Sequence, residues 1–396
     1  MEEWKIYRLG DLVDFQNGYA FKSSKFLYDG KYKIIRIKEL KNGLVKFFED
    51  TVSISDEPNE ILSKILVNKG DVIFALTGDP VSKQNANSWV GRVSLYTHDI
   101  PAYLNQRTCK IIQCNNVVPQ YVYYYFRQYE NLYSLASKAT GSASQANIST
   151  KILEDTEILL PSLSVQKKMV AILASLDNKI ALNRRINDNL EQQAQALFKA
   201  WFVDFEPFKG EKFVESQLGM IPEGWKVGTL SDLLDIRYGK DHKKLNDGNI
   251  PVYGSGGVMR LADGILYNGE SVLIPRKGTL NNVLYVNCPF WTVDTMFYSI
   301  EKVPNVAKYC HLLLSKLDLA SMNSGSAVPS MTTDILNKIQ VIVANQDVFR
   351  SFNECISSLY LKAKINLDEN KQLSETRDLL LPKLMSGGLI IKDLHS

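Results

Sequence analysis

The sequence predicts an α+β fold built as an internal repeat. Two similar globules of strands and short helices are separated by two long helices, which form an antiparallel coiled coil with pseudo-twofold symmetry. Three observations predict it. Residues 4–18 (WKIYRLGDLVDFQNG) align without a gap on 225–239 (WKVGTLSDLLDIRYG) and agree at seven of fifteen positions, from Trp4/Trp225 to Gly18/Gly239. Residues 165–197 pair in the same way with 348–380, through Val165/Val348, Lys179/Lys362, Asn183/Asn366, Asn187/Asn370 and Leu197/Leu380. Gly-Ser-Ala recurs at 141–143 and 325–327, each time followed by an Ile-Leu pair and a β-rich run, Glu157–Leu160 and Gln340–Val343. Repeats set the order of elements, here a first globule over 1–160, a helical spacer and linker over 161–220, a second globule over 221–343 and a second helical spacer over 344–396.

In the first globule, β-branched and aromatic runs at Lys33–Ile37, Asp71–Leu76 and Arg92–Tyr96 are bounded by Gly, Asn, Asp and Pro and read as strands. Val118–Arg127 reads as a short helix opened by Pro119, whose fixed φ suits a first turn. From Met169 onward, apolar residues spaced four and three apart give a heptad seam: Met169, Leu173, Leu176, Ile180, Asn183, Asn187, Leu190, Ala194, Leu197 and Trp201. A helix of about 38 residues at ~1.5 Å per residue is ~57 Å long. In the second globule Ser271–Ile274 and Asn282–Val286 read as strands, and Val306–Leu317, after Pro304, as a helix. The copied seam runs Phe352, Ile356, Leu359, Ala363, Asn366, Asn370, Leu373, Arg377, Leu380 and Leu384. Asparagines recur at the same two seam positions, where an amide sacrifices stability but fixes register, since a slipped partner leaves it unpaired at about 1 to 3 kcal/mol. Antiparallel packing would set Asn183 near Asn370 and Asn187 near Asn366.

Composition narrows the function classes. The 396 residues carry 46 Lys plus Arg against 43 Asp plus Glu, a formal charge of +3, so any nucleic-acid binding comes from local patches rather than bulk charge. Five cysteines form no CxxC pair and read as reduced thiols of a cytoplasmic protein. Four scattered histidines show no metal-ligand spacing, and no run approaches the ~18 apolar residues of a membrane span. No P-loop, nucleophile elbow or paired-carboxylate pattern is present, so no catalytic, metal or cofactor site is expected on this chain. The glycine-rich Tyr253–Val258 reads as a loop that lets another surface approach closely. Asp11 and Asp14 recur as Asp232 and Asp235 on a segment read as amphipathic, as a solvated face or helix N-terminal charge.

Basic and amide residues cluster in the loops instead, with the chemistry to hold phosphates and base edges. The candidate DNA-binding residues are Lys22, Ser24, Lys25, Arg36, Lys83, Gln84, Gln106, Arg107, Gln145 and Asn147 in the first globule. In the second they are Lys240, His242, Lys243, Lys244, Ser255, Arg260, Arg276, Lys277, Asn323 and Ser326. A ligand as long as the paired helices suits duplex DNA, with one turn per ~34 to 36 Å. A self-contained nuclease, or a coiled-coil adaptor whose globules bind protein, are the alternatives.

Ile221-Pro222-Glu223-Gly224-Trp225, Ala196-Leu197-Phe198-Lys199-Ala200-Trp201-Phe202-Val203-Asp204-Phe205-Glu206 and Arg377-Asp378-Leu379-Leu380-Leu381-Pro382-Lys383-Leu384-Met385-Ser386-Gly387 resemble the signatures of specificity (S) subunits of type I restriction-modification systems. The resemblance covers the whole chain. It implies a non-catalytic DNA-binding subunit in which two target recognition domains each read half of a bipartite DNA sequence and the helices set the unread spacing. It further implies two methyltransferase (M) subunits docked on the helices and restriction/translocase (R) subunits joining them. S-adenosylmethionine, ATP and Mg would then sit on those partners, which carry out adenine methylation and restriction. Scaffold positions Trp4, Trp225, Trp201, Pro382 and the seam carry over; the candidate base-reading residues rest on loop chemistry alone.

Overall fold

In a computed structural model, which describes residues 4–322 and 330–389, strand Lys5–Arg8 pairs antiparallel with Glu157–Leu160, in register from Lys5↔Leu160 to Arg8↔Glu157. Strand Lys226–Thr229 pairs the same way with Gln340–Val343, from Lys226↔Val343 to Thr229↔Gln340. These are the two ends of each sequence repeat, so each repeat closes on itself. The chain divides into two units, one of residues up to Ala181 together with those from Glu369 on, the other Leu182–Asp368. Each unit therefore holds its own length of both long helices.

In the first unit a six-stranded sheet runs in the order Val13–Asn17, Thr108–Cys114, Val72–Ala75, Val93–Leu95, Leu44–Val45, Leu40–Lys41. A four-stranded sheet contains Tyr32–Ile35 and Ala102–Leu104, and a small three-stranded one orders Thr140–Gly141, Ala146–Asn147 and Thr77–Gly78. Helix Pro119–Arg127 starts on its proline as expected and packs Tyr121, Val122 and Phe126 against Phe74 and Leu9 in one core. The second unit has one six-stranded sheet, in the order Leu234–Tyr238, Met296–Glu301, Tyr267–Pro275, Leu284–Thr292, Ile250–Gly254, Gly257–Ala262. Its helix Ala307–Leu314 is shorter than the sequence suggested at both ends: Val306 is the N-cap, with the Glu301 carboxylate taking the amide of Ala307 at 2.6 Å, and the helix stops at Ser315, whose hydroxyl donates to the carbonyl of His311 at 2.7 Å. The repeat nonetheless holds in detail: Tyr121 donates to the carbonyl of Leu159 at 2.8 Å, and Tyr309 to that of Ile342 at 2.7 Å.

The acidic pairs of the amphipathic segment fall on two kinds of element. Asp11 and Asp232 sit in the first turns of Leu9–Asp11 and Leu230–Leu233, and Asp232 accepts from the amide of Thr229 at 2.7 Å as a cap. Asp14 and Asp235 lie on the strands that follow, Val13–Asn17 and Leu234–Tyr238.

The long helices are Leu163–Phe202 and Gln346–Met385. Met169, Leu173, Ile180, Asn183 and Ala194 are buried on the first, and Leu176, Asn187, Leu190, Leu197 and Trp201 half-buried. On the second, Phe352, Ile356, Asn366 and Leu384 are buried and Leu359, Ala363, Asn370, Leu373, Arg377 and Leu380 half-buried. The heptad pattern therefore faces inward along both helices. In the second unit the pairing is antiparallel, because Trp201 meets Phe352 at 5.5 Å between ring centroids while Asn187 meets Asn366. Asn366 donates to the Asn187 side-chain oxygen at 2.8 Å, and Asn187 donates to the carbonyl of Ala363 at 3.1 Å. In the first unit two ion pairs follow the same antiparallel sense, Arg377 to Asp177 at 2.8 Å and Lys179 to Glu369 at 3.2 Å, with Tyr124 donating to the other Asp177 oxygen at 2.8 Å.

The linker after Phe202 turns at Phe205, whose φ is 53, and lays Phe205 and Phe208 against Trp225 at 5.7 and 4.9 Å. Phe202 itself contacts Tyr309, Phe349, Phe352 and Trp225. Each fully buried ring contributes roughly 1.5 to 3 kcal/mol, so the signature segment around Trp201 is the aromatic core that roots the helices in the second unit.

Candidate nucleic-acid interface

Both repeats leave their first sheet strand at a glycine held for space rather than for φ. A Cβ on Gly18 would lie 2.2 Å from the carbonyl oxygen of Asn105, and one on Gly239 would lie 2.1 Å from that of Val293. The close approach lets Gly18 donate to Thr108 and Gly239 to Met296, each at 2.9 Å. The loops that depart from these points carry Lys22, Ser24 and Lys25 in one unit and Lys240, His242, Lys243 and Lys244 in the other.

The structure brings together three of the predicted residues of the first unit. Gln106 and Arg107, in the turn before Thr108–Cys114, and Asn147, on the small three-stranded sheet, line one open pocket of ≈ 300 Å³ with Thr77. Arg107 Nη1 donates to Thr77 Oγ1 at 3.1 Å and to Asn147 Oδ1 at 3.3 Å, and Thr77 Oγ1 donates to the same Asn147 oxygen at 2.8 Å. Gln145 lies beside it, exposed in the tight turn between Thr140–Gly141 and Ala146–Asn147.

Other candidates of this unit are tied to the fold. Arg36 is held by Glu39 at 3.0 Å, a carboxylate with no exposed surface, and so serves that buried acid. Lys25 pairs with Asp56 at 2.5 Å, a bond that raises the lysine pKa. Lys83 pairs with Asp79 at 2.8 Å and holds that carboxyl below its ordinary range. Lys22, Ser24 and Gln84 are exposed.

In the second unit the Ser255 and Arg276–Lys277 loops are joined, for Asn282 donates to the Ser255 carbonyl at 2.7 Å and Lys277 bridges to Ser330. Arg276 places its guanidinium 5.4 Å above the ring of Tyr238 and donates to the carbonyl of Asp294 at 3.2 Å. Lys240 anchors the Trp291 indole through its carbonyl at 2.9 Å and leaves its ammonium exposed; Lys243 and Lys244 are exposed and His242 half-buried. Arg260 is spent internally on the carbonyl of Leu245 and on Asp247, at 3.0 and 3.1 Å. Asn323 and Ser326 lie outside the described residues.

Sequence reasoning missed Thr77 and Tyr238. Thr77 carried no local signal, since its partners are 30 and 70 residues away. Tyr238, 51% exposed, was visible as an aromatic residue next to the repeated glycine. Its ring carries the Arg276 guanidinium in a cation–π contact. Among the described residues no group of three His, Cys, Asp or Glu side chains could hold a metal, and no helix is long and apolar enough to cross a membrane.

The family model for the "Type I restriction modification DNA specificity domain" matches residues 1–192 and again 222–347. The chain belongs to the type I restriction-modification specificity subunit family. Among its relatives, it is 28% identical to the MjaIX specificity subunit of Methanocaldococcus jannaschii over 99% of this chain and 95% of that one. It is 24% identical to the HindI specificity subunit of Haemophilus influenzae over 98% and 100%. A crystal structure of the type I S subunit of M. genitalium shares the fold with a TM-score of 0.59 at 19% identity, covering 97% of this chain and 96% of that one. A specificity subunit is the non-catalytic member of its enzyme; the catalytic steps belong to other subunits.

Proposed function

We propose that this specificity subunit reads a bipartite duplex target, one half with each unit, and directs adenine methylation and restriction by its partners. The observation that supports this reading is the second copy of the frame. The same terminal strand pair, the same close-packed glycine and the same tyrosine-to-carbonyl bond recur in both units, while the loops they present differ in residue and length. A repeated frame with unlike loops suits two different short sequences better than one shared ligand.

In this reading two methyltransferase subunits dock on the helices and restriction/translocase subunits join them, in the cytoplasm. S-adenosylmethionine, ATP and Mg act on those partners. A net charge of +3 leaves most phosphate contacts to subunits that close around the duplex. The test is methylome sequencing of the host with and without the gene. One bipartite N6-methyladenine motif should vanish on deletion; an unchanged methylome overturns the proposal.

A further inference from the structure

We infer that the Arg107 pocket reads a guanine in the major groove, which makes guanine a required base of the half-site served by the first unit. This rests on the proposed function and assigns a base to one of its surfaces.

The argument is one of donors and acceptors. The side-chain oxygen of Asn147 receives two hydrogen bonds, from Thr77 Oγ1 and from Arg107 Nη1, and the Thr77 hydroxyl is occupied in giving one of them and accepting from Arg107. Within this triad both lone pairs of Asn147 Oδ1 are used internally, and Thr77 Oγ1, which gives one bond and accepts another, keeps a single lone pair. Apart from that lone pair, the groups left without a partner inside the triad are the Nε–H and Nη2 fork of Arg107 and the amide hydrogens of Asn147, all donors. Arg107 is exposed, yet its guanidinium is braced through Nη1 at a fixed angle, so little ordering cost remains when the fork engages a partner.

The major-groove edges of the bases differ in this respect. Guanine offers two acceptors, N7 and O6; adenine sets an N6 amino donor beside its N7; cytosine offers a donor. The braced fork of Arg107 suits guanine and meets adenine or cytosine with donor facing donor; the assignment belongs to that fork, since Gln106, exposed in the same pocket, carries an acceptor as well as donors. Because Asn147 Oδ1 is consumed, Asn147 cannot make the two-bond pairing with adenine that a free asparagine makes. The residue types alone left both purines open; the triad's hydrogen bonds separate them. Thymine offers one acceptor, O4, beside its methyl group, and so takes one bond of the fork where guanine takes two. A phosphate is a further acceptor-only partner, and charge-conserving substitution distinguishes it from guanine, since a lysine keeps a phosphate contact but lacks the planar fork.

The experiment expresses the full subunit with its methyltransferase in a host lacking restriction and reads N6-methyladenine motifs genome-wide for wild type, Arg107→Lys, Arg107→Gln and Asn147→Asp. For wild type one half-site should contain an invariant guanine. Both Arg107 variants should lose the preference for guanine at that one position by roughly 5- to 150-fold, the value of one bidentate contact. The other half-site and the spacing should be unchanged. Asn147→Asp, which places an acceptor where a donor stood, should also relax that position. Full specificity in Arg107→Lys, or a uniform fall in methylation at all sites without a change of motif, overturns the guanine assignment while leaving the bipartite reading intact. Absence of any bipartite motif in wild type overturns the reading itself. Since a folding failure would remove all methylation, retention of the unaltered half-site shows that each variant has folded.

Discussion

Lys308 is 4% exposed and bonds both Glu270 oxygens, at 2.9 and 3.2 Å, and Asn353 on the second long helix at 2.9 Å. An ion pair of this kind is weak evidence of net stability, but removing one partner strands the other. Lys308→Met should cost roughly 3 to 5 kcal/mol in denaturant unfolding, and adding Glu270→Leu should recover most of it. His311, one turn along, shares a 2.7 Å hydrogen bond with Tyr360, and burial lowers its pKa from 6.5 to about 4. The unfolded imidazole takes up a proton near 6.5 and the folded one only near 4, so the native state loses stability as pH falls between those values and is unaffected above them. The loss totals roughly 3 kcal/mol, at about 1.36 kcal/mol per pH unit. His311→Gln should flatten that segment of the stability curve; equal slopes in the two proteins from pH 6.5 to 4 would contradict the assignment.

Among the elements, the helix pair is where amides, rather than apolar area, hold the register. Asn187→Leu alone leaves Asn366, 1% exposed, without its acceptor and should destabilise the chain by about 1 to 3 kcal/mol. Asn187→Leu with Asn366→Leu should be close to neutral, and a double-mutant cycle gives the coupling directly. A coupling near zero would mean that the 2.8 Å bond contributes nothing in solution. The helices were also the most legible elements, because a period of three and four over some thirty residues is a signal no strand or loop imitates. The aligned repeats anticipated one strand of each terminal pair, the Glu157–Leu160 and Gln340–Val343 runs, but not the partners Lys5–Arg8 and Lys226–Thr229. The proposed reading surface was legible only as residue types. Arg36, Arg107, Arg260 and Arg276 look alike in sequence, yet Arg36 serves buried Glu39, Arg260 binds a carbonyl and Asp247, and Arg107 is braced by Thr77 and Asn147. Those differences are set by contacts 30 or more residues apart for Arg107, beyond the reach of any local pattern.

For the whole molecule, the proposed function makes helix length a ruler. One heptad inserted at matching seam positions of both helices preserves the seam and adds roughly 10 Å. The unread segment between methylated half-sites should then grow by about three base pairs, at ~3.4 Å each, with neither half-site sequence altered. A changed half-site would show that the units do not read independently; an unchanged spacing would show that the helices are not the ruler.

The strand pairs that join Lys5–Arg8 to Glu157–Leu160 and Lys226–Thr229 to Gln340–Val343 also bear on how such a protein can change over generations. Each is a clasp of four residue pairs whose grip is indifferent to what it encloses. Closing a flexible loop costs free energy only as the logarithm of its length, so the longer enclosed stretch, Lys5 to Leu160, costs merely a few tenths of a kcal/mol more to close than Lys226 to Val343. Insertions, deletions or wholesale replacement between the two halves of a clasp leave the path of the chain into the long helix unaltered. Variation in the enclosed stretch is thereby insulated from the helices, so that, under the proposed function, a gene of this design can acquire a new preference in one half while keeping the other.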